Sequence, residues 1–287
     1  MKKMEFKTPE VFVDVSYWTY NIGFSVFRQY KQEFNPILDI NDPIDPMNDE
    51  EFVRMFENQW VGRLMGIIKH HYPMVKYKNL VLAKDCKKID IWRNDITNSY
   101  KLKRKTEAKR LEFSFNGIFK HVFNVLIPRL IDGGAVLIYN ETAEGDDGIA
   151  VCILNKKKYL NNTNNLIVAS DHDYFQLLGM TEIINGKGEM ASIDIPASQF
   201  LLEKILMGDK SDEIEQVFYR CGKVMARKLS SNRELLKEKL EQDANALRKF
   251  KLNKRLIDMT LIPSIIKDDL WDQYCKNREI DMTLHLL

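Results

Sequence analysis

The sequence has no C-x-x-C pair, and its four cysteines, Cys86, Cys152, Cys221 and Cys275, stand far apart along 287 residues. That spacing excludes a zinc ribbon and a disulfide framework, and it fits a reducing compartment. No run of about 18 apolar residues occurs, so no membrane-spanning helix is expected. The opening MKKMEFKTPE carries charge but lacks the apolar core of a signal peptide. A soluble, cytoplasmic chain with no membrane partner is the expectation. Internal repeats and low-complexity tracts are absent as well. Lys and Arg number 43 against 41 acids, a net charge of only +2, so any affinity for a polyanion must come from local arrangement. Hydrophobic residues make up 45%, ample for a large buried core.

Short apolar runs alternate with helical patterns. Val11-Phe12-Val13-Asp14-Val15 gives a first strand, followed by a helix capped by Ser16 and carrying Tyr17, Trp18, Tyr20, Phe24 and Phe27. Residues 35–48 hold three prolines among Asp and Asn and form a loop, after which Asp49 starts a helix to about His71. Leu80-Val81-Leu82-Ala83, Ala135 to Tyr139 and Leu166 to Ala169 are further strands. Helices are expected over Phe113 to Ile131, from Asp146 to about Lys158, and around Tyr174 to Leu178. Glu182 to Ile184 and Ala191 to Ile193 flank Asn185-Gly186-Lys187-Gly188 as a hairpin. Beyond Pro196 the chain is wholly helical in pattern, which places a boundary near residue 195.

This alternation predicts an α/β fold with a mostly parallel central sheet wrapped by helices, whose ligands lie beyond the carboxyl ends of the strands. Acids fall at those ends: Asp14, Asp85, Glu144 and Asp171. Two stretches, Glu144-Gly145-Asp146-Asp147 and Ser170-Asp171-His172-Asp173, put five carboxylates where most folds place one. Gathered carboxylates repel one another and lose solvation, so the pattern makes sense chiefly if divalent cations neutralise it. A two-metal site that cleaves phosphodiesters is the reading. Between Trp92 and Arg110 runs a basic stretch with Arg93, Lys101, Lys103, Arg104, Lys105, Lys109 and Arg110. It follows an acid at a strand end, where a phosphate chain would pass. Gly208-Asp209-Lys210-Ser211-Asp212 adds two more acids, and Gly222 leads into a basic helix through Arg227 and Lys228, whose first amides suit a backbone phosphate.

VFVDVS, VLAKD, WRNDITNSYKLKR, AEGDDGIA, VASDHDYFQLL and GDKSDEI, in that order, together resemble the 5′-nuclease superfamily of flap endonucleases and 5′ to 3′ exonucleases. Small bacteriophage-type replication nucleases of the RNase H kind are the nearest in pattern. The resemblance implies a PIN-like core at residues 1–195 with a helical arch over about 86–112, and a helix-hairpin-helix-type all-α DNA-binding module at 196–287. It implies two Mg²⁺ or Mn²⁺ ions, with Asp14, Asp85, Glu144, Asp146 and Asp147 as the inner ligands and Asp171, Asp173, Asp209 and Asp212 as the outer ones. Lys101 and Arg104 would act on the scissile phosphate. Arg93, Tyr100, Lys103, Lys105, Gly222, Lys223, Arg227 and Lys228 would hold DNA. The run VFYRCGKVMARKL keeps only one glycine of the family's turn, which weighs against a monovalent-cation site there and leaves duplex binding more to Arg220 and its basic neighbours.

Blander readings compete at several positions. Tyr17, Trp18 and Tyr20 at helical spacing suit a core better than a base-stacking platform. His172 between two acids is a poor general base, and Glu112, Asp194 and Asp258 are ordinary surface or capping acids. The expected activity is metal-dependent cleavage of 5′ flaps, nicks or RNA-primed ends, with branched or nicked DNA, RNA–DNA hybrids and replication proteins as partners. A PIN-type ribonuclease of single-stranded RNA is the alternative within the same sheet class. A non-catalytic structure-specific DNA-binding protein is the alternative outside it.

Overall fold

Unbroken Val, Ile, Leu and Phe suit strands covered on both faces. In the computed structural model, which describes residues 8–37, 45–102 and 115–281, five such runs form one parallel sheet. They are β1 (Glu10–Asp14), β2 (Leu80–Lys84), β3 (Val136–Tyr139), β4 (Asn165–Val168) and β5 (Glu182–Ile184), ordered β3-β2-β1-β4-β5. Phe12 faces Val81 on one side and Ile167 on the other, and none of the three has exposed surface. From β1 the chain builds first towards β3 and later towards β5. The crevice beyond the carboxyl ends of β1 and β4 is therefore the switch point where such sheets bind ligands.

One face is covered by α1 (Val15–Glu33), α2 (Glu50–His71), α3 (Phe115–His121) and α4 (Ile127–Asp132). Trp18, Phe56, Trp60 and Leu64 pack there against Val11 and Leu80. Asp49 caps α2 as expected, accepting from the Phe52 amide at 3.0 Å, with Glu50 and Glu51 in the first turn and Lys69 in the last. The expected single helix from Phe113 is broken: Val122–Leu126 is a π-turn between α3 and α4. Pro128, at the start of α4, has no N–H for the preceding turn, a common cause of such widening.

On the opposite face lies α5 (Gly145–Leu160). The chain then leaves the sheet for α6 (Ala197–Met207), α7 (Lys223–Ser231), α8 (Arg233–Gln242) and α9 (Ala244–Ile257), which share a core of Leu202, Leu206, Leu229, Leu236 and Ala246. The last helix among the described residues, α10 (Ser264–Asn277), crosses the expected boundary near residue 195 and returns to the sheet. Its Leu270, Trp271 and Tyr274 pack with Ile149, Ile153 and Phe12. Another cluster joins the two parts, setting Cys86, Ile91 and Tyr100 against Ile205, Ile214, Leu256 and Ile257.

Three local expectations need correction. Asp14, not Ser16, caps α1, accepting from the Tyr17 amide at 2.9 Å. The expected helix at Tyr174 is a 3₁₀ segment, His172–Leu177, because Asp171 turns the chain tightly by accepting from the Asp173 amide at 2.9 Å. The expected hairpin is a tight turn with a lone Ile184–Met190 bridge, since β5 pairs in parallel with β4 instead. Trp18 lies in the core, as its spacing implies, with its indole N–H on the Trp60 carbonyl at 2.9 Å.

Candidate metal centre

Parallel strands deliver their last residues to one edge, and here acids stand at those ends or within a few residues beyond them. Asp14 ends β1, and Asp85 follows β2. Glu144 caps α5 after β3, and Asp171 follows β4. Asp85 accepts the Gly145 amide at 2.5 Å, which ties the β2 end to the first turn of α5. Glu144, Asp146 and Asp147 bring carboxylate oxygens within 4.8 Å of one another, and Asp173, Asp209 and Asp212 do the same. Of the acids expected at the site, Asp14, Asp85 and Asp171 thus fall outside both triads. Asp85 nevertheless feels the charge of Glu144, and Asp14 feels Asp85 and Asp171.

Burial, then the charge of Asp85, raises the Asp14 carboxyl from 3.8 to about 7. Burial also raises Asp85, and burial with Asp147 and Glu144 pushes Asp146 well up. Glu144 goes the other way. Its burial opposes ionisation, but Lys101 and Arg93 outweigh it and hold its pKa below the usual value. The named donors are all carboxylate oxygens, the set preferred by hard divalent cations such as Mg²⁺ and Mn²⁺. Charge from such an ion would oppose the rise at Asp14, Asp85 and Asp146. The residues present therefore fit the metal group.

Lys101 joins the two triads. Its ammonium lies 2.6 Å from Glu144 Oε1 and 3.6 Å from Asp212 Oδ2, and its amide donates to the Asp212 carbonyl at 3.2 Å. Lys101 itself has φ of +52°, a left-handed conformation uncommon for a side-chain-bearing residue and typical of sites held by their surroundings. Tyr100 makes the same span, its hydroxyl donating to Glu144 at 2.9 Å and Asp212 at 3.4 Å. Arg104, Lys103 and Lys105 lie outside the described residues.

Arg93 and Tyr100, expected on DNA, are interior, each 3% exposed. Arg93 grips both oxygens of Asp147 at 2.7 and 2.9 Å and donates to the Leu256 carbonyl at 2.8 Å. The Trp92 indole adds a third bond to Asp147 at 2.8 Å. Asp147, expected as an inner ligand, thus has both oxygens engaged within the protein and anchors the first turn of α5. Lys204 bonds Asp173 and lies 3.1 Å from Asp209. Tyr174 donates to Asp14 at 3.2 Å. The sequence motifs mark neither Lys204 nor Tyr174. Lys204 stands in the last turn of a helix, where a cation is ordinary, and Tyr174 reads as core.

At the helical module, Gly208 has φ of +68°, and a Cβ there would meet the Ile214 carbonyl at 2.3 Å. The turn that presents Asp209 and Asp212 thus requires glycine. Gly222 leads into α7, which has no side-chain cap. Lys223 and Lys228 are exposed, whereas Arg227 is held by Glu203 and lies 3.3 Å from Asp194. Helix α9 carries Arg248, Lys249, Lys251, Lys254 and Arg255 with no acid of its own. A groove of about 990 Å³ opens between Asp212, Tyr219, Arg248 and Ser99.

No family model matches the chain, and no curated protein matches it either. Solved structures do. A bacteriophage T5 protein co-crystallised with metal ions aligns with TM-score 0.63 at 17% identity over 94% of this chain and 98% of its own. The chain has the 5′-nuclease fold. A T5 flap endonuclease variant in a complex with DNA and metal ions aligns at 0.62 and 17% identity, with the same coverage. The T5 5′-exonuclease with bound zinc aligns at 0.62 and 16% identity, again over 94% of this chain and 98% of that one. The α/β class and the parallel sheet expected from the alternating pattern are both present.

Proposed function

We propose that this chain is a divalent-metal-dependent 5′-nuclease acting at 5′ flaps, nicks or RNA-primed ends of duplex DNA. The observation that carries the reading is the pair of carboxylate triads at the carboxyl edge of the sheet, bridged by Lys101. Asp14, Asp85, Glu144 and Asp146 would hold one Mg²⁺ or Mn²⁺, and Asp171, Asp173, Asp209 and Asp212 a second. Ions of this kind supply Lewis-acid charge and a water of lowered pKa.

The chain's own side chains would bind and orient. Lys101, with Arg104, would meet the phosphoryl charge that grows during cleavage. Tyr100 orients Glu144, while Arg93 and Trp92 hold Asp147 and so the turn that presents Asp146. The open amides of α7 with Lys223 and Lys228, and the basic face of α9, would follow duplex phosphates without reading bases. The helical module supports a duplex substrate over single-stranded RNA. Removal of RNA-primed 5′ ends alongside replication proteins is the role that suits such a substrate.

Product sizing from end-labelled 5′-flap, nicked and RNA-primed duplexes tests the reading. With Mg²⁺ or Mn²⁺, short 5′ products are expected, and chelator should abolish them. Cleavage that persists in chelator, or that favours unpaired RNA over every duplex end, would overturn it.

A further inference from the structure

Lys204 is placed unlike the exposed lysines near the ends of α2, α7 and α9, Lys69, Lys228 and Lys254. It stands in the last turn of α6 with a side chain only 12% exposed, and its ammonium forms an ion pair with Asp173 and lies 3.1 Å from Asp209 Oδ2. Those acids are two of the three carboxylates that converge in the outer group. Asp209 is oriented for this contact. Its Oδ1 accepts the Ser211 amide at 2.7 Å and the Ser211 hydroxyl at 2.6 Å, which turns Oδ2 towards the ammonium. A lysine at a helix end ordinarily extends its head into water; this one is drawn inward. Its backbone is fixed, because its carbonyl accepts the Gly208 amide at 2.9 Å. Only the side chain is free to move. A lysine ammonium and a divalent ion at contact distance repel strongly in so shielded a place.

We propose that Lys204 is the resident counter-ion of the outer carboxylate group, and that a divalent cation takes this group only as the Lys204 ammonium swings out. The inference rests on the metal-dependent reading above and adds an order of filling to it. Of the four acids proposed to hold the inner ion, Glu144 is paired with Lys101 and Arg93, but among the described residues no ion pair engages Asp14, Asp85 or Asp146, whereas Lys204 holds two of the outer acids, so the inner group fills first. The outer group fills at higher metal concentration because each ion must displace a bonded lysine. Lys204 is thus a positioning residue that sets the metal dependence of the site.

Calorimetric titration of the full DNA-free chain with Mn²⁺ tests this directly. The parent protein should show two unequal affinities, and Asp146→Asn should weaken the stronger one. Lys204→Met should tighten the weaker affinity by about tenfold or more and leave the stronger unchanged, while Lys204→Arg keeps the weaker one weak. Lys204→Gln removes the charge but keeps a polar head, and it gives the same expectation if the Met variant folds poorly. Melting in chelator should occur at lower temperature for Lys204→Met than for the parent, and added Mn²⁺ should raise it by more. An unchanged or weakened second affinity in both neutral variants would show a structural ion pair only and overturn the proposal. If the parent and every variant bind no Mn²⁺, the metal reading itself fails and this inference with it.

Discussion

An aspartate that closes a buried parallel strand has little water to accept its charge. Asp14 is in that position, with its carboxyl raised from 3.8 to about 7 by burial and then by Asp85. Between those values the folded protein holds a proton that the unfolded chain releases. The resulting stability is fully present below about pH 4 and is lost as pH rises towards 7. Metal-free protein should therefore melt at lower temperature at pH 7 than at pH 5, and Asp14→Asn should shrink that difference. Equal slopes in the two proteins would show that Asp14 is already ionised. Two further outcomes concern catalysis. Asp146→Ala should abolish cleavage while DNA binding, read by gel shift, survives, because a metal that loses a carboxylate loses affinity and geometry. Lys101→Ala should slow single-turnover cleavage by roughly 10²-fold or more, with a much smaller change in DNA affinity. A loss of affinity alone would make Lys101 a steering residue.

Single elements show what the sequence made legible. Four strands were legible because each is a short apolar run ending at or just before an acid, and β5 was legible as a strand but not in its pairing. Parallel pairing is set by distant neighbours, and the Gly186 region has every local mark of a hairpin. The approach of Asp209 and Asp212 to Asp173 was not legible from strand order, whereas the gathering of Asp14, Asp85, Glu144 and Asp171 at one edge was legible, since strand ends converge in any parallel sheet. Arg93 was not. Nothing in WRND tells whether its guanidinium faces phosphate or Asp147, which lies 54 residues away in sequence. Lys204 was hidden for the same reason, as a cation at a helix end needs no partner to be expected. The turn after α6 permits a firm outcome. Gly208→Ala should lower thermal stability, by more than about 1 kcal/mol, because φ of +68° and the nearby Ile214 carbonyl leave no room for a methyl. Charge reversal at Lys223 and Lys228 should instead leave melting nearly unchanged and flatten the salt dependence of duplex binding, through fewer released counterions. Equal salt slopes would remove α7 from the interface.

Across the whole molecule, the carboxylate edge is assembled by contacts distant in sequence. Arg93 links the 3₁₀ turn Trp92–Asp95, α5 and the end of α9. Arg93→Met leaves Asp147 as an uncompensated buried charge and should destabilise the fold by about 3–5 kcal/mol. Because Arg93 is interior, the salt dependence of DNA binding should stay as in the parent, and a flattened slope would put its guanidinium on phosphate after all. The return of α10 carries a different consequence. Tyr274 and Arg278 bond Glu10 at the start of β1, and Trp271 and Leu270 cover the face of the sheet that holds Phe12. Chains are made from the amino end and domains fold as they emerge. Here the sheet can be complete in sequence yet only partly covered, by α5, on the Phe12 face until residues 264–278 have left the ribosome. A nascent chain stalled after Asp258 should therefore be protease-sensitive and inert towards DNA, and one stalled with α10 outside the exit tunnel should be resistant and active. Pulse proteolysis of the two stalled complexes reads this directly. The carboxylate edge would gain its full support only after α10 had emerged.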